Sequence, residues 1–206
     1  MKETKTYQPR WHNFLAAWFF HLAASGLLPG RWFRTPLPPV SERRAATGIL
    51  DLEIVSHCWQ YAPMLAYQLS SLVHYPPTRL RVVATVFYAE EDQKTVELLD
   101  FFSAIEVENV SWNWQPLPRE KLFRRGIGRN MAARSTRAHW VWFTDCDIIF
   151  HANCLDSLAD ELEGRRDTLV FPRQERTTTM LAESDPMLQH DATPRLVDID
   201  AAHFTP

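Results

Sequence analysis

The sequence predicts an α/β protein: an open, mainly parallel sheet with helices on both faces, preceded by an N-terminal helical extension. Three observations predict it. Short apolar, β-branched runs alternate at least three times with segments of helical spacing, the pattern of parallel strands joined by crossover helices. One of those runs, Leu80 to Tyr88, is apolar almost without a break, as a strand buried on both faces must be. Pro36, Pro38 and Pro39 set this region apart from an apolar N-terminal segment, because prolines so close together fit neither a helix nor a central strand. The chain of 206 residues therefore reads as an extension over residues 1–47 and a domain over residues 48–206.

Within the extension, Trp11 to Leu28 carries no charged side chain and is rich in Trp, Phe, Leu and Ala. Lys2, Lys5 and Arg10 precede it, and Arg31 and Arg34 follow. Residues 1–50 hold seven basic and two acidic side chains, a net +5, which leaves −8 on the remainder of a chain whose total is −3. A membrane span needs about 20 mainly apolar residues, and this stretch is shorter and contains His12, Asn13, His21 and Ser25. Its apolar region also starts late for a secretory signal peptide. Three readings stay open: a helix packed on the globular core; a peripheral membrane contact through residues 11–28, with Trp anchors and basic flanks; and, least favoured, a true span or signal.

In the domain, Ile49 to His57 predicts the first strand and Pro63 to Val73 the first helix, by the spacing of Met64, Leu65, Leu69 and Leu72. Pro76-Pro77 ends that helix, and Leu80 to Tyr88 is the second strand. Asp92 is an N-terminal signal for a helix over Thr95 to Ser103. Ile105 to Trp112 is expected as the third strand, Arg124 to Ala138 as a helix following Gly126 and Gly128, and His139 to Thr144 as the fourth strand. A further strand is expected over Thr168–Phe171, then a polar loop over Glu175–Thr179, and an edge strand around Val197–Asp200.

Composition narrows the function. With 46% hydrophobic and 23% charged residues the chain has enough apolar side chains for a core. A net charge of −3 argues against a nucleic-acid partner. Cys58, Cys146 and Cys154 are too few and too irregular for a disulfide framework, which suggests reduced thiols and a cytoplasmic setting. The spacing of Cys146, His151 and Cys154 does not match a structural zinc site.

In parallel α/β sheets ligands bind outside the carboxyl ends of the strands. His57, Glu90 to Asp92 and Asp145 to Asp147 should therefore share one rim. Asp145-Cys146-Asp147 directly follows a strand. Two carboxylates so close repel unless a positive charge separates them, and Mg²⁺ or Mn²⁺ held by one or two carboxylates and substrate phosphates would do so. The alternative is a pair that only caps the next helix. Gly126-Ile127-Gly128-Arg129-Asn130 allows close backbone approach, with a helix start and Arg129 attracting an anion; an ordinary loop-to-helix junction would look the same. Arg119, Lys121, Arg124, Arg125 and Arg129 add positive charge toward this rim. Trp112 and Trp114 suit either a sugar-stacking platform or ordinary packing.

Arg129-Asn130 stands sixteen residues before Asp145, with a strand between and Asp-x-Asp after it. This arrangement resembles family 2 glycosyltransferases of the glycosyltransferase-A fold, over about residues 50 to 160. The resemblance implies a metal-dependent transferase that moves a sugar from a nucleotide-diphosphate sugar to an acceptor hydroxyl on a sugar, lipid or protein. It implies Asp147 as the main metal ligand and Asp145 as a second ligand or a ribose contact. It further implies nucleotide-sugar binding by Ser56, His57, Glu90, Asp92, Arg125, Arg129, Asn130 and Asp145, with His57 to Gln60 beside the base.

Two features depart from the family. Phe87 and Tyr88 stand where it carries an acidic residue at the end of the second strand. Deprotonating the acceptor needs a carboxylate base, and Glu183, Asp185, Asp191, Asp198 and Asp200 all lack the family's usual context. With 59 residues after Asp147, the acceptor half is expected to be short or missing, and the base is unassigned. Three other readings stay open: a non-catalytic binding module, a haloacid-dehalogenase-type phosphotransferase, disfavoured by Ile148-Ile149 after the Asp pair, and a nucleotidyltransferase.

Overall fold

A computed structural model describes residues 11–25, 27, 29, 32, 35–167, 169–172, 175–182, 184, 185, 188 and 193–204. The chain divides into two compact units, Met1–Arg43 and Arg44–Pro206. In the first, helix α1 spans Trp11–Ala24 and buries none of its residues. After the prolines, Val40–Glu42 forms one 3₁₀ turn, and Arg43 Nε donates to the Pro38 carbonyl at 2.9 Å.

The second unit is the α/β domain. Its elements are β1 (Leu50–His57), α2 (Ala62–His74), β2 (Leu80–Tyr88), α3 (Gln93–Ser103), β3 (Val110–Pro116), α4 (Arg119–Leu122), α5 (Arg125–Ser135), β4 (Trp140–Phe143) and α6 (Cys154–Leu162). The strands form one sheet of order β3-β2-β1-β4. All pairings are parallel, with Ile54 opposite Ala84 and Trp142, and Ala84 opposite Trp112. Short connections of α/β type force this: each strand must return over a helix to re-enter in the same direction.

Packing follows the apolar pattern. Ile54, Val82 and Phe150 join Leu155, Ala159 and Leu162 of α6 in one cluster. Val86, Leu98, Leu99 and Phe102 form a second with Leu65 and Leu69 of α2. On the opposite face of the sheet Val55 and Phe87 pack with Leu122 of α4 and Ala132 of α5. Leu155, Ala159 and Leu162 repeat at helical spacing and place α6 after the Asp-x-Asp turn, an element not among those expected above.

Four expectations are corrected. The third strand starts at Val110, not Ile105, because Val107 and Val110 close a tight bridge around Asn109, whose φ is 61°. Trp112 and Trp114 therefore lie inside β3, stacked on each other at 5.6 Å. Their indole N–H groups donate to Ile105 O and Ser103 Oγ, so they pack on the end of α3. The fifth helix starts at Arg125 and has Gly126 and Gly128 inside it, so no helix begins at Arg129 to attract an anion. Leu169–Phe171 forms no strand, and Leu169 and Phe171 are exposed; Thr168 lies outside the described residues. Val197–Asp200 is not an edge strand either. It alternates buried and exposed as expected, but against α2: the Val197 N–H donates to Ser70 Oγ, and its carbonyl oxygen lies 3.1 Å from His74 Nε2.

Candidate active site

Because all four strands run the same way, their carboxyl ends open onto one rim. There, β1 delivers His57, β2 leads into Glu90–Asp92, and β4 leads into Asp145–Asp147. The last of these is fixed from below by α2. Gln68, only 2% exposed, donates its Nε2 to the carbonyls of Asp145 at 2.8 Å and Ile148 at 3.2 Å. Ser71 Oγ accepts from the Phe150 N–H at 3.1 Å. A buried amide bridging two carbonyls holds the turn in one shape, since losing it would take the donor from the Ile148 carbonyl and leave the Asp145 carbonyl only the Thr144 hydroxyl at 3.3 Å.

The carboxylates of the turn differ. Asp145 Oδ1 accepts from Arg125 Nη1 at 2.6 Å and lies 3.5 Å from Arg129 Nη2. The positive charge beside Asp145 is thus supplied by two guanidinium groups of α5. Asp147 is exposed and forms no ion pair with any described residue. Between them Cys146 turns inward, where its thiol hydrogen-bonds that of Cys58. That bond, burial and the nearby Asp147 charge all push the Cys146 thiol far above its ordinary range.

His57 closes the floor. Its ring stacks on Phe87 with centroids 5.1 Å apart. Neither ring nitrogen has a hydrogen-bond partner among the described residues, nor does the buried Nε of Arg129. Burial, then the charges of Arg129 and Arg125, depress the His57 pKa from 6.5 to about 4 against the opposing pull of Asp145. The imidazole is therefore neutral at physiological pH. Gly128 explains why α5 comes so close: a Cβ there would overlap the His57 ring and reach Phe87 Cδ2 at 3.0 Å.

The other expected site residues divide. Arg125, Arg129 and Asp145 meet one another. Ser56 is buried within β1, opposite Val86. Asp92 is buried and its carboxylate serves the fold: it accepts from the Thr95 N–H as the cap of α3, from Thr95 Oγ1 at 2.7 Å, and from the Gln60 N–H at 2.5 Å. It thereby holds the loop after β1, where Gln60 has φ 54°. Glu90 and Asn130 are exposed on the loop after β2 and on α5. Arg119 lies over the Trp59 ring at 4.8 Å. Two residues join the site without a signal in the sequence. Gln68 is one polar position on an apolar helix, and only its burial reveals its use. Tyr61 is 43% exposed, and burial together with the charge of Asp147 raises its hydroxyl pKa, which places the phenol near that carboxylate.

Among the candidate bases, Glu183 and Asp191 lie outside the described residues. Asp185 sits near Tyr67, whose pKa is raised by burial and then by that carboxylate. Asp198 follows Val197, which is anchored beside His74 at the end of α2 away from the rim. Asp200 turns back on its own segment, accepting from the Ala202 N–H at 2.9 Å.

The site chemistry fits a hard cation in a limited way. Among the described residues no three His, Cys, Asp or Glu side chains gather as a cage. Mg²⁺ and Mn²⁺ do not require one, since one or two carboxylates with water and phosphate oxygens suffice. Asp147 meets that requirement, whereas Asp145 already has its guanidinium partners.

No protein curated for function matches the chain. The family model described as Glycosyl transferase family 2 matches residues 62–200, which takes in Arg125, Arg129 and Asp145–Asp147 and begins after β1. That match spans well over half of the sequence and indicates glycosyl transfer as the class of activity: the chain belongs to glycosyl transferase family 2.

Proposed function

We propose that the protein transfers a sugar from a nucleotide-diphosphate sugar to an acceptor hydroxyl at the rim formed by His57, Arg125, Arg129, Asp145 and Asp147. The observation that carries this reading is the set of groups gathered there: two guanidinium groups on one carboxylate, a second exposed carboxylate, and buried polar atoms of His57 and Arg129 with no described partner. Buried polar atoms without partners concentrate where a ligand supplies them.

Asp147 would hold Mn²⁺ or Mg²⁺, and such an ion neutralises charge developing on a departing diphosphate. Arg125 and Arg129 hold Asp145 in place and present positive charge to the same anion. Neutral His57 offers a flat surface and an uncharged acceptor or donor, suited to a nucleoside more than to a phosphate. Ser56 and Asp92 support the strand and the loop from beneath; Glu90 and Asn130 remain candidate contacts at the edge. The three free cysteines accord with a cytoplasmic setting.

The test is release of nucleoside diphosphate from a panel of sugar nucleotides, with Mn²⁺, with Mg²⁺ and with chelator. Release should require metal and fall at least about a hundredfold in Asp147→Asn, the loss of several kcal/mol of charge stabilisation. Equal release with chelator, or in Asp147→Asn, contradicts the proposal. A second reading, donor binding without transfer, draws on the absence of an assigned base: Asp200 accepts from the Ala202 N–H of its own segment, and Asp198 follows a Val197 anchored on α2. Tight, metal-dependent donor binding with no turnover on any acceptor would favour it.

A further inference from the structure

A helix that is apolar on all sides is ordinarily buried or spans a membrane. Helix α1 does neither. None of its residues is buried, and Trp11, Phe14, Leu15 and Trp18 are 76%, 79%, 57% and 63% exposed. Fourteen residues at 1.5 Å each reach about 21 Å, against a hydrocarbon core of about 30 Å. No helix among the described residues is long and apolar enough to cross a membrane.

We infer that α1 lies flat in the interface of an anionic lipid bilayer and tethers the transferase domain there. Three features select a bilayer over another protein surface. Trp11, Phe14, Leu15, Trp18 and Leu22 recur at helical spacing and so form one side, while Asn13, Ala16, Ala17 and Ala24 occupy the other; Phe19 at the flank and Phe20 opposite are the exceptions. The large side is thus weighted with Trp and Phe, the residues that settle at the boundary between headgroups and acyl chains. Both ends of the apolar segment are basic in sequence, with Lys2, Lys5 and Arg10 before it and Arg31 and Arg34 after it. Finally, charge is segregated: the first 50 residues are +5 and the rest −8, so the net positive charge that anionic headgroups attract belongs to the part of the chain that carries α1. A protein-binding helix would not need that separation.

The test is sedimentation of the full chain with vesicles of phosphatidylcholine alone and with about a third phosphatidylglycerol. Binding to the anionic vesicles should be at least about tenfold tighter than to the neutral ones and weaken as salt is raised. It should be lost in Trp11→Ser/Phe14→Ser/Trp18→Ser. That triple variant alters only exposed positions, so the cooperative melt of the domain should not change. A second variant, Lys2→Glu/Lys5→Glu/Arg10→Glu, should lose the preference for anionic vesicles while leaving the apolar side intact. No binding to either vesicle, equal binding to both, or binding unaffected by the triple variant overturns the inference. So does a lipid-free dimer that the triple variant dissociates, which would mean that a second copy covers α1. Resistance to alkaline carbonate extraction, the mark of a spanning segment, also overturns it.

Discussion

Gly126 and Gly128 stand two positions apart in one helix, yet the same substitution acts on them in opposite directions. At Gly126 a Cβ would have nothing within 4 Å, so Ala there should stabilise by about 0.5 kcal/mol through chain entropy and helix propensity. At Gly128 the methyl meets the His57 ring, and Ala should cost about 1–3 kcal/mol as an overpacked site. Thermal melts check both, at roughly 2–4 °C per kcal/mol for this size. His57 adds a pH dependence. Its folded pKa, about 4, lies below the ordinary 6.5, so the folded state binds its proton less readily than the unfolded chain. The associated stability is complete above pH 6.5 and is lost as pH falls toward about 4. Melts between pH 7 and pH 4.5 should show that loss, and His57→Leu should reduce it while the surrounding Arg125, Arg129 and Asp145 stay in place. The sequence displays Gly126-Ile127-Gly128 and His57 plainly, but their relation is one of packing between α5 and β1. Spacing along the chain cannot express such a contact.

Element by element, what can be read from sequence is what depends on local pattern. The strands β1 and β2 announce themselves as apolar runs because they are buried on both faces, the half-buried edge strand β4 by its run of Trp, Val and Phe, and Asp92 as the cap of α3 by its capping chemistry. The start of β3 is obscured by Ile105 and Val107, apolar residues that belong to the turn before it. The Asp145–Asp147 turn is legible as a motif, and its support is not. Gln68 acts across 77 residues of sequence, from the buried side of α2. Gln68→Leu keeps the helix apolar, takes the donor from the Ile148 carbonyl and leaves the Asp145 carbonyl the Thr144 hydroxyl alone. It should cost about 1–3 kcal/mol and, by loosening the turn, weaken any metal-dependent stabilisation. A variant melt that shows the first effect without the second would separate α2 from the site.

At the scale of the molecule, the chain joins a compact α/β unit to an apolar, basic extension. The compact unit includes residues just after Arg43: the Ala46 carbonyl accepts from the Gly164 N–H at 2.9 Å, and the Gly48 N–H donates to Glu163 Oε1 at 3.3 Å. Deleting residues 1–43 should therefore leave a single cooperative transition with nearly the same midpoint. Deleting on through Gly48 should lower it. Insolubility or a non-cooperative melt in the shorter deletion would show that the first unit is needed for the fold. Family and fold class can both be read from the order of strands, helices and Asp-x-Asp. The charge balance of the rim cannot, because Arg125 and Arg129 reach Asp145 only when α5 crosses above the sheet.

The central claim is that this rim holds a sugar nucleotide with a divalent ion at Asp147. The most direct measurement is a thermal melt of the full chain with Mn²⁺ and a panel of nucleoside-diphosphate sugars, beside Asp147→Asn. A ligand at a hundred times its dissociation constant adds about 2.7 kcal/mol, a rise of several degrees at this size. The account predicts a rise that requires both Mn²⁺ and one sugar nucleotide and is absent from Asp147→Asn. A well-folded protein that shows no rise with any of them, or the same rise in Asp147→Asn, would contradict it.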